Sequence, residues 1–167
     1  VYMGFGDGFN ARRSADNFTR ESFAKAVRYC HIRGCKVYVT LNTLVGDREM
    51  DAAAALAQQA SDAGADAILV QDLGLARVLR AALPDIPLHA STQMSIHNLA
   101  GVEAAAEMGI TRAVLARELS LEQIRFISQH ASIETEVFVH GALCFCYSGQ
   151  CYMSALIGRR SGNRLSL

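Results

Sequence analysis

Cys144 and Cys151 lie in the run Gly141-Ala142-Leu143-Cys144-Phe145-Cys146-Tyr147-Ser148-Gly149-Gln150-Cys151, which holds three of the chain's five cysteines within eight residues. Thiolates are the ligands of soft metals and of iron–sulfur clusters, and small residues beside them let backbone approach a ligand closely. Cys144 and Cys151 are therefore the candidate metal ligands. Cys146 is a third sulfur, but its closeness to Cys144 makes simultaneous ligation awkward. Two thiolates fall short of the four ligands of a structural zinc site or a 4Fe–4S cluster, so the pair is a partial set. Just upstream, Glu136-Val137-Phe138-Val139-His140 reads as a buried strand. His140, four residues before Cys144, is a candidate general acid or base, a ligand or a pocket donor; a core histidine bonded to backbone is the equally weighted alternative.

These residues need elements that bring them together. An Ala-rich helical pattern ending in glycine is followed about three residues later by an apolar strand, at Gly34, Gly64 and Gly109. Glycine at the position after a helix takes the left-handed backbone cheaply. Pro84-Asp85-Ile86-Pro87 fills the same place before Leu88-His89-Ala90. Thr19 is placed to cap a helix over Arg20–Cys30, whose Phe23, Val27 and Cys30 form one apolar stripe. Ser120-x-x-Gln123 is a capping box opening Leu121–Gln129. The spacing predicts six strands, over 1–5, 36–42, 67–71, 87–91, 112–117 and 135–140. Their apolar runs show little alternation, the mark of parallel strands covered on both faces. Repeated βα units mean an open doubly wound sheet or part of a (β/α)8 barrel. Either belongs to the α/β class, and a partial or incomplete TIM-type barrel of parallel β/α repeats is the fold expected here.

In both architectures ligands bind at the carboxyl ends of the strands. Those ends carry Asn42 and Thr43, Gln71 and Asp72, Ser91, Thr92 and Gln93, Arg117 and Glu118, and His140. Asn42, Gln71, Asp72, Ser91 and Gln93 are the candidate substrate contacts, with Arg12 from the first loop. Arg117, Glu118 and His140 are the candidate catalytic groups. The planar fork of Arg117 suits a carboxylate or phosphate, the alternative being a structural pair with Glu118 or a neighbouring loop. Glu136 is expected to pair within the structure. His31, His97 and His130 fall in helical segments and read as surface residues; Asp16, Asp62 and Asp66 read as cap or loop charges. Gly4-Phe5-Gly6-Asp7-Gly8 is glycine-rich but lacks the third glycine of a dinucleotide fingerprint, so it is a weak nucleotide signal.

The chain has 167 residues, 51% hydrophobic and 19% charged, with zero formal net charge. That is enough for one domain with a sizeable core, and it gives this segment no strong electrostatic grip on nucleic acid. No apolar stretch is long enough to cross a bilayer. The odd cysteine count, with Cys30 and Cys35 suited to buried apolar sites, argues against a disulfide framework and for a reducing cytoplasm.

The run Glu136-x-Phe138-x-x-Gly141-Ala142-Leu143-Cys144-x-x-x-x-Gly149-x-Cys151-x-Met153-Ser154 closely resembles the signature of the collagenase-like peptidase family. Phe9-Asn10-Ala11-Arg12 and Asn17-Phe18-Thr19 resemble its first-loop motif. Val37 to Asn42, Val70-Gln71-Asp72, His89 to Gln93 and Ala116 to Ser120 resemble its successive strand-end motifs. The resemblance implies a (β/α)8-barrel-like catalytic domain over 1–167, with a first βα unit before Val1 and a C-terminal part beyond Leu167. It implies hydroxylation of bases in tRNA or ribosomal RNA for some members, and a collagen-degrading peptidase activity for others. It also implies a 4Fe–4S cluster on four cysteines, of which Cys144 and Cys151 match two. Asn163-Arg164 match the start of the next cysteine segment, but Leu165 stands where glycine is expected.

Three functions follow as expectations. The first is an iron–sulfur-dependent hydroxylase acting on tRNA or ribosomal RNA. The second is a peptidase acting on a peptide substrate through Cys144 and His140, since a cysteine nucleophile needs a nearby base. The third is a non-catalytic barrel fragment. No His-Glu-x-x-His or Gly-x-Ser-x-Gly motif is present.

Overall fold

The computed structural model of the chain describes residues 1–6, 8–11, 17–141 and 146–149. Strands and helices alternate through them: β1 (Tyr2–Met3), α1 (Arg20–His31), β2 (Tyr38–Leu41), α2 (Met50–Asp62), β3 (Ala67–Val70), α3 (Leu73–Ala82), β4 (Leu88–Ala90), α4 (Leu99–Glu107), β5 (Ile110–Val114), α5 (Leu121–His130) and β6 (Glu134–Glu136). Short 3₁₀ turns at Asp47–Glu49 and Thr92–Met94 complete the set. No helix among the described residues is long and apolar enough to cross a membrane.

The local signals explain where the helices start and stop. The side chains of Thr19, Asp72, Asn98 and Ser120 cap α1, α3, α4 and α5 by accepting from Ser22, Leu75, Gly101 and Gln123 N–H. The Ser120–Gln123 capping box is closed in both directions. After α2, Gly64 has φ +93°, and Ala65 N–H reaches back to Ala60 O. That left-handed turn satisfies a carbonyl the helix would otherwise leave open. At the end of α3, Arg80 replaces glycine chemistry by donating to Pro84 O at 2.8 Å and to Ile86 O.

All six strands pair in parallel, in the order β1-β2-β3-β4-β5-β6. A doubly wound sheet reverses its strand order at a switch point, whereas sequential parallel order belongs to a barrel wall. The sheet curls into a half-barrel with helices on its convex side. The curl brings the Tyr2 hydroxyl of β1 to the Glu136 carboxylate of β6, a hydrogen bond across the concave side. On the helix side, Phe23 and Val27 of α1 and Ala53, Ala57 and Ala60 of α2 are buried with Val39, Leu41, Ile68 and Val70 of the sheet. The three alanines have no exposed surface, so α2 lies close against the strands.

Two expectations about the strands need correction. Only β3 and β4 are buried throughout; β2 alternates, with Val39 and Leu41 covered and Tyr38 and Thr40 half-buried on the concave side. That side carries a polar row in register, His89–Arg112–Glu134. Arg112 donates to Glu134 at 2.6 and 2.9 Å and to Glu136 at 3.3 Å, and its guanidinium lies 5.4 Å from the Tyr38 ring centre. The second correction concerns Glu136–His140. The strand covers Glu134–Glu136 and stops, leaving Phe138 60% and Val139 92% exposed and His140 exposed. The cause lies in the partner strand: Leu115 N–H still bonds Glu136 O, but the next N–H on that side, Arg117, donates to Ser148 Oγ instead. Among the described residues, 137–140 then have no ladder to join, and β6 is the edge of the sheet.

His89 is 4% exposed, and its Nδ1 makes no hydrogen bond among the described residues. Burial, followed by the neighbouring Arg112 cation, pushes its pKa down from 6.5 to about 4. The unfolded chain therefore binds a proton in this window that the fold refuses. Stability from this group is full above pH 6.5 and is lost as pH falls toward 4. The full-length protein is expected to lose up to about 3 kcal/mol of unfolding free energy over that window through His89. Denaturant titrations at several pH values, repeated with His89→Gln, check it: an unaltered slope in the variant would assign the effect to other groups.

Candidate functional site

The parallel ladder delivers the strand ends to one mouth, and there side chains tie each loop to the next. Asn42, at the end of β2, accepts from Ala11 N–H of the first loop at 3.2 Å and donates through Nδ2 to Ser91 Oγ after β4 at 3.3 Å. Ser91 is buried, and its hydroxyl also accepts from Gln93 N–H, opening the 3₁₀ turn. Gln71 donates to Gln93 O at 3.3 Å. Asp72 caps α3 through Leu75 N–H at 2.8 Å and also receives Val45 N–H at 3.3 Å. These side chains were expected to meet substrate, and the hydrogen bonds shown give them scaffold roles as well. Thr43 Oγ1 and Gln93 Oε1 are buried at the same mouth and make no hydrogen bond among the described residues. Such buried acceptors carry a desolvation cost unless a ligand or water meets them.

The belt ends on the turn between the two candidate ligand cysteines. Ser148, four residues after Cys144 and three before Cys151, has no exposed surface. Its N–H donates to Glu118 Oε1 at 2.8 Å, and its hydroxyl lies 3.2 Å from both carboxylate oxygens of Glu118. Arg117 N and Nε each donate to Ser148 Oγ at 3.4 Å, and Ser95 Oγ donates to Ser148 O. Next to it, Gly149 has φ +77°, and a Cβ there would stand 2.3 Å from Gln93 O. Only glycine fits a left-handed backbone this close to a carbonyl. Burial raises the Glu118 pKa, but N–H donors from its own backbone and Ser148, the Ser148 hydroxyl and nearby His97 outweigh it. The carboxyl therefore sits below its ordinary value and is ionised at neutral pH.

Sequence reasoning placed His97 on a helix surface. It lies in the loop before α4, with Nδ1 on Ser95 O and Nε2 3.7 Å from Glu118 Oε2. Ser95 itself is a non-glycine residue in the left-handed region, φ +56°, the kind of local strain kept where surroundings fix it. Asp66, read as a loop charge, ties α1 to β2 by accepting from Val37 N–H and bonding His31, both at 2.7 Å. Arg12, Cys144 and Cys151 lie outside the described residues. Cys30, Cys35 and Cys146 form no disulfide among the described residues. His140 is exposed on the segment beyond β6. Among the described residues no group of three or more His, Cys, Asp or Glu side chains could hold a metal ion.

Residues 1–165 match peptidase family U32. The chain belongs to this family. Among U32 relatives, it is 44% identical over 164 residues to the 23S rRNA 5-hydroxycytidine C2501 synthase of Escherichia coli (strain K12), covering 98% of this chain and 24% of that protein. It is 37% identical to the tRNA hydroxylation protein P1 of Bacillus subtilis (strain 168), covering 98% of this chain and 39% of that one. It is 34% identical to a collagenase of Porphyromonas gingivalis (strain ATCC BAA-308 / W83), covering 98% and 42%. The chain thus spans between a quarter and about two fifths of the length of these relatives. The solved U32 peptidase Mk0906 superposes with a TM-score of 0.67 at 18% identity, over 87% of this chain and 62% of that one, a likeness of fold.

The Asn42 bridge yields a stability test. Its two hydrogen bonds tie the first loop to the end of β4, and each is worth about 1 kcal/mol net. Asn42→Ala in the full-length protein is expected to lower unfolding free energy by about 1–2 kcal/mol, read by chemical denaturation. An unchanged midpoint would remove Asn42 from the belt.

Proposed function

We propose that the full-length protein is an RNA-modifying enzyme that hydroxylates a base in ribosomal RNA or tRNA, and that Cys144 and Cys151 supply two of four thiolates holding a 4Fe–4S cluster. The single observation that carries this reading is the buried Ser148 turn between the two cysteines, held at the mouth where α/β barrels bind ligands. The relatives named for rRNA and tRNA hydroxylation support the substrate class.

The donor chemistry fits the group: thiolates are the ligands of iron–sulfur clusters, and Gly149, two residues before Cys151 in the chain, closes a tightly packed turn. When bound, such a cluster would supply one-electron chemistry that side chains cannot. This chain's own residues do the positioning. Asn42, Ser91 and Gln71 fix the loops around the mouth. Gln93 Oε1 and Thr43 Oγ1 offer buried acceptors to the donor edge of a base. Arg117 and Arg12 offer cations to the phosphate backbone. With a formal charge of zero on this segment, most of the electrostatic grip on RNA falls to the rest of the full-length protein.

The test is nucleoside mass spectrometry of ribosomal RNA and tRNA from cells lacking the gene. A pyrimidine carrying one extra oxygen is expected to disappear, to return with the wild-type gene, and to stay absent with Cys144→Ser or Cys151→Ser. Identical nucleoside profiles with and without the gene would overturn the reading. Gelatin cleavage by purified protein that is abolished by Cys144→Ser would favour the peptidase instead.

A further inference from the structure

Glu118 has the position of a catalytic acid but the bonding of a clamp. Both carboxylate oxygens are directed at one buried serine, whose N–H and hydroxyl they receive. The Ser148 carbonyl is taken by Ser95, so its N–H, hydroxyl and carbonyl are all held by residues from two other strand-end loops. Gly149 then packs on Gln93 O at a distance no side chain could tolerate. A turn with this many long-range partners has few ways to move, and hydrogen bonds to an ionised carboxylate are the strong ones.

We propose that Glu118 and Ser95 are positioning residues: they lock the turn Cys146–Gly149, which the sequence puts between Cys144 and Cys151, and iron uptake depends on that turn. The proposal rests on the iron–sulfur reading for its purpose and on the Ser148 contacts for its geometry. Glu118 acts as a hydrogen-bond acceptor, not as a proton carrier. The amide of glutamine, which keeps one acceptor oxygen for Ser148 N–H, should therefore replace it. Ser95 contributes the second point of attachment, and its left-handed backbone is held in place by that contact and by His97 on its carbonyl.

The experiment uses full-length protein with Glu118→Ala, Glu118→Gln and Ser95→Ala. Two quantities are read: amide hydrogen exchange of the peptide covering 146–149 in iron-free protein, and iron per chain after anaerobic reconstitution. Melting temperature serves as the control for global folding. For Glu118→Ala, exchange is expected to rise about tenfold or more, because the strongest bond closing the turn is gone. Iron per chain should fall with it, while Glu118→Gln restores both. A merely structural residue would lower the melting temperature and leave iron retention in the folded fraction unchanged. Wild-type exchange in folded Glu118→Ala protein overturns the proposal, and so does full iron retention despite fast exchange. Should Glu118→Ala fail to fold, Ser95→Ala decides by the same two readings. Wild-type protein that takes up no iron sinks the functional reading, and the exchange data then judge the clamp by themselves.

Discussion

Parallel pairing in sequential order is the constraint on which the rest depends. Once β1 to β6 run the same way and neighbour each other in chain order, every strand end opens on the same side. Each βα loop then meets the loops before and after it, and short side chains can bridge them. Asn42 reaches from the second loop to the first and the fourth; Gln71 reaches from the third to the fourth. An antiparallel or reordered sheet would scatter these residues over two ends and leave Ser148 without partners. The apolar helix face underneath has one task, to hold the strands in that order, and the fully buried alanines of α2 show how closely it does so.

The two ends of the concave face are built on different physics. Toward the start of the strands, Arg112, Glu134, Glu136, Tyr38 and His89 form a charged and aromatic group that spans β2 to β6, with Tyr2 joining it from β1. Arg112 is held further toward its charged form despite burial, because Glu134 and Tyr38 bond to it. At the mouth the linking groups are mostly neutral amides and hydroxyls, with Asp72, Arg117 and Glu118 as charged members. Neutral hydrogen bonds fix direction with little dependence on salt or pH, which suits loops that must hold one geometry.

The order of elements was legible in the sequence because its signals are local. Glycine after a helix, serine and glutamine at a capping box, and apolar runs each act within a few residues. The helix over Arg20–Cys30 extends by one residue to His31, and that over Leu121–Gln129 to His130. The ring of polar strand ends was legible too, since parallel order fixes where they go. What local spacing could not show was tertiary pairing. The apolar run Val137-Phe138-Val139 has strand character, yet the ladder that would bury it ends when Arg117 N–H turns to Ser148. Only folding sets His97 against Glu118, across twenty-one residues of chain. Ser148 carried one signal, a small residue beside glycine between two cysteines, and its partners on two other loops are invisible to any periodicity.

The bonding at the mouth bears on what kind of chemistry it can host. A general base works best with a pKa near the operating pH, and Glu118 is driven the other way by the donors around it. An ionised carboxylate already receiving an N–H and a hydroxyl has little basicity left to offer. Asn42 and Asp72 spend their polar atoms on scaffold bonds. The described side chains are thus arranged to orient and to hold, which is the share of work a protein keeps when a bound redox group supplies the reactive electrons. Were the proposed cluster bound, a fixed turn between its cysteines in the chain is what such a division of labour would require.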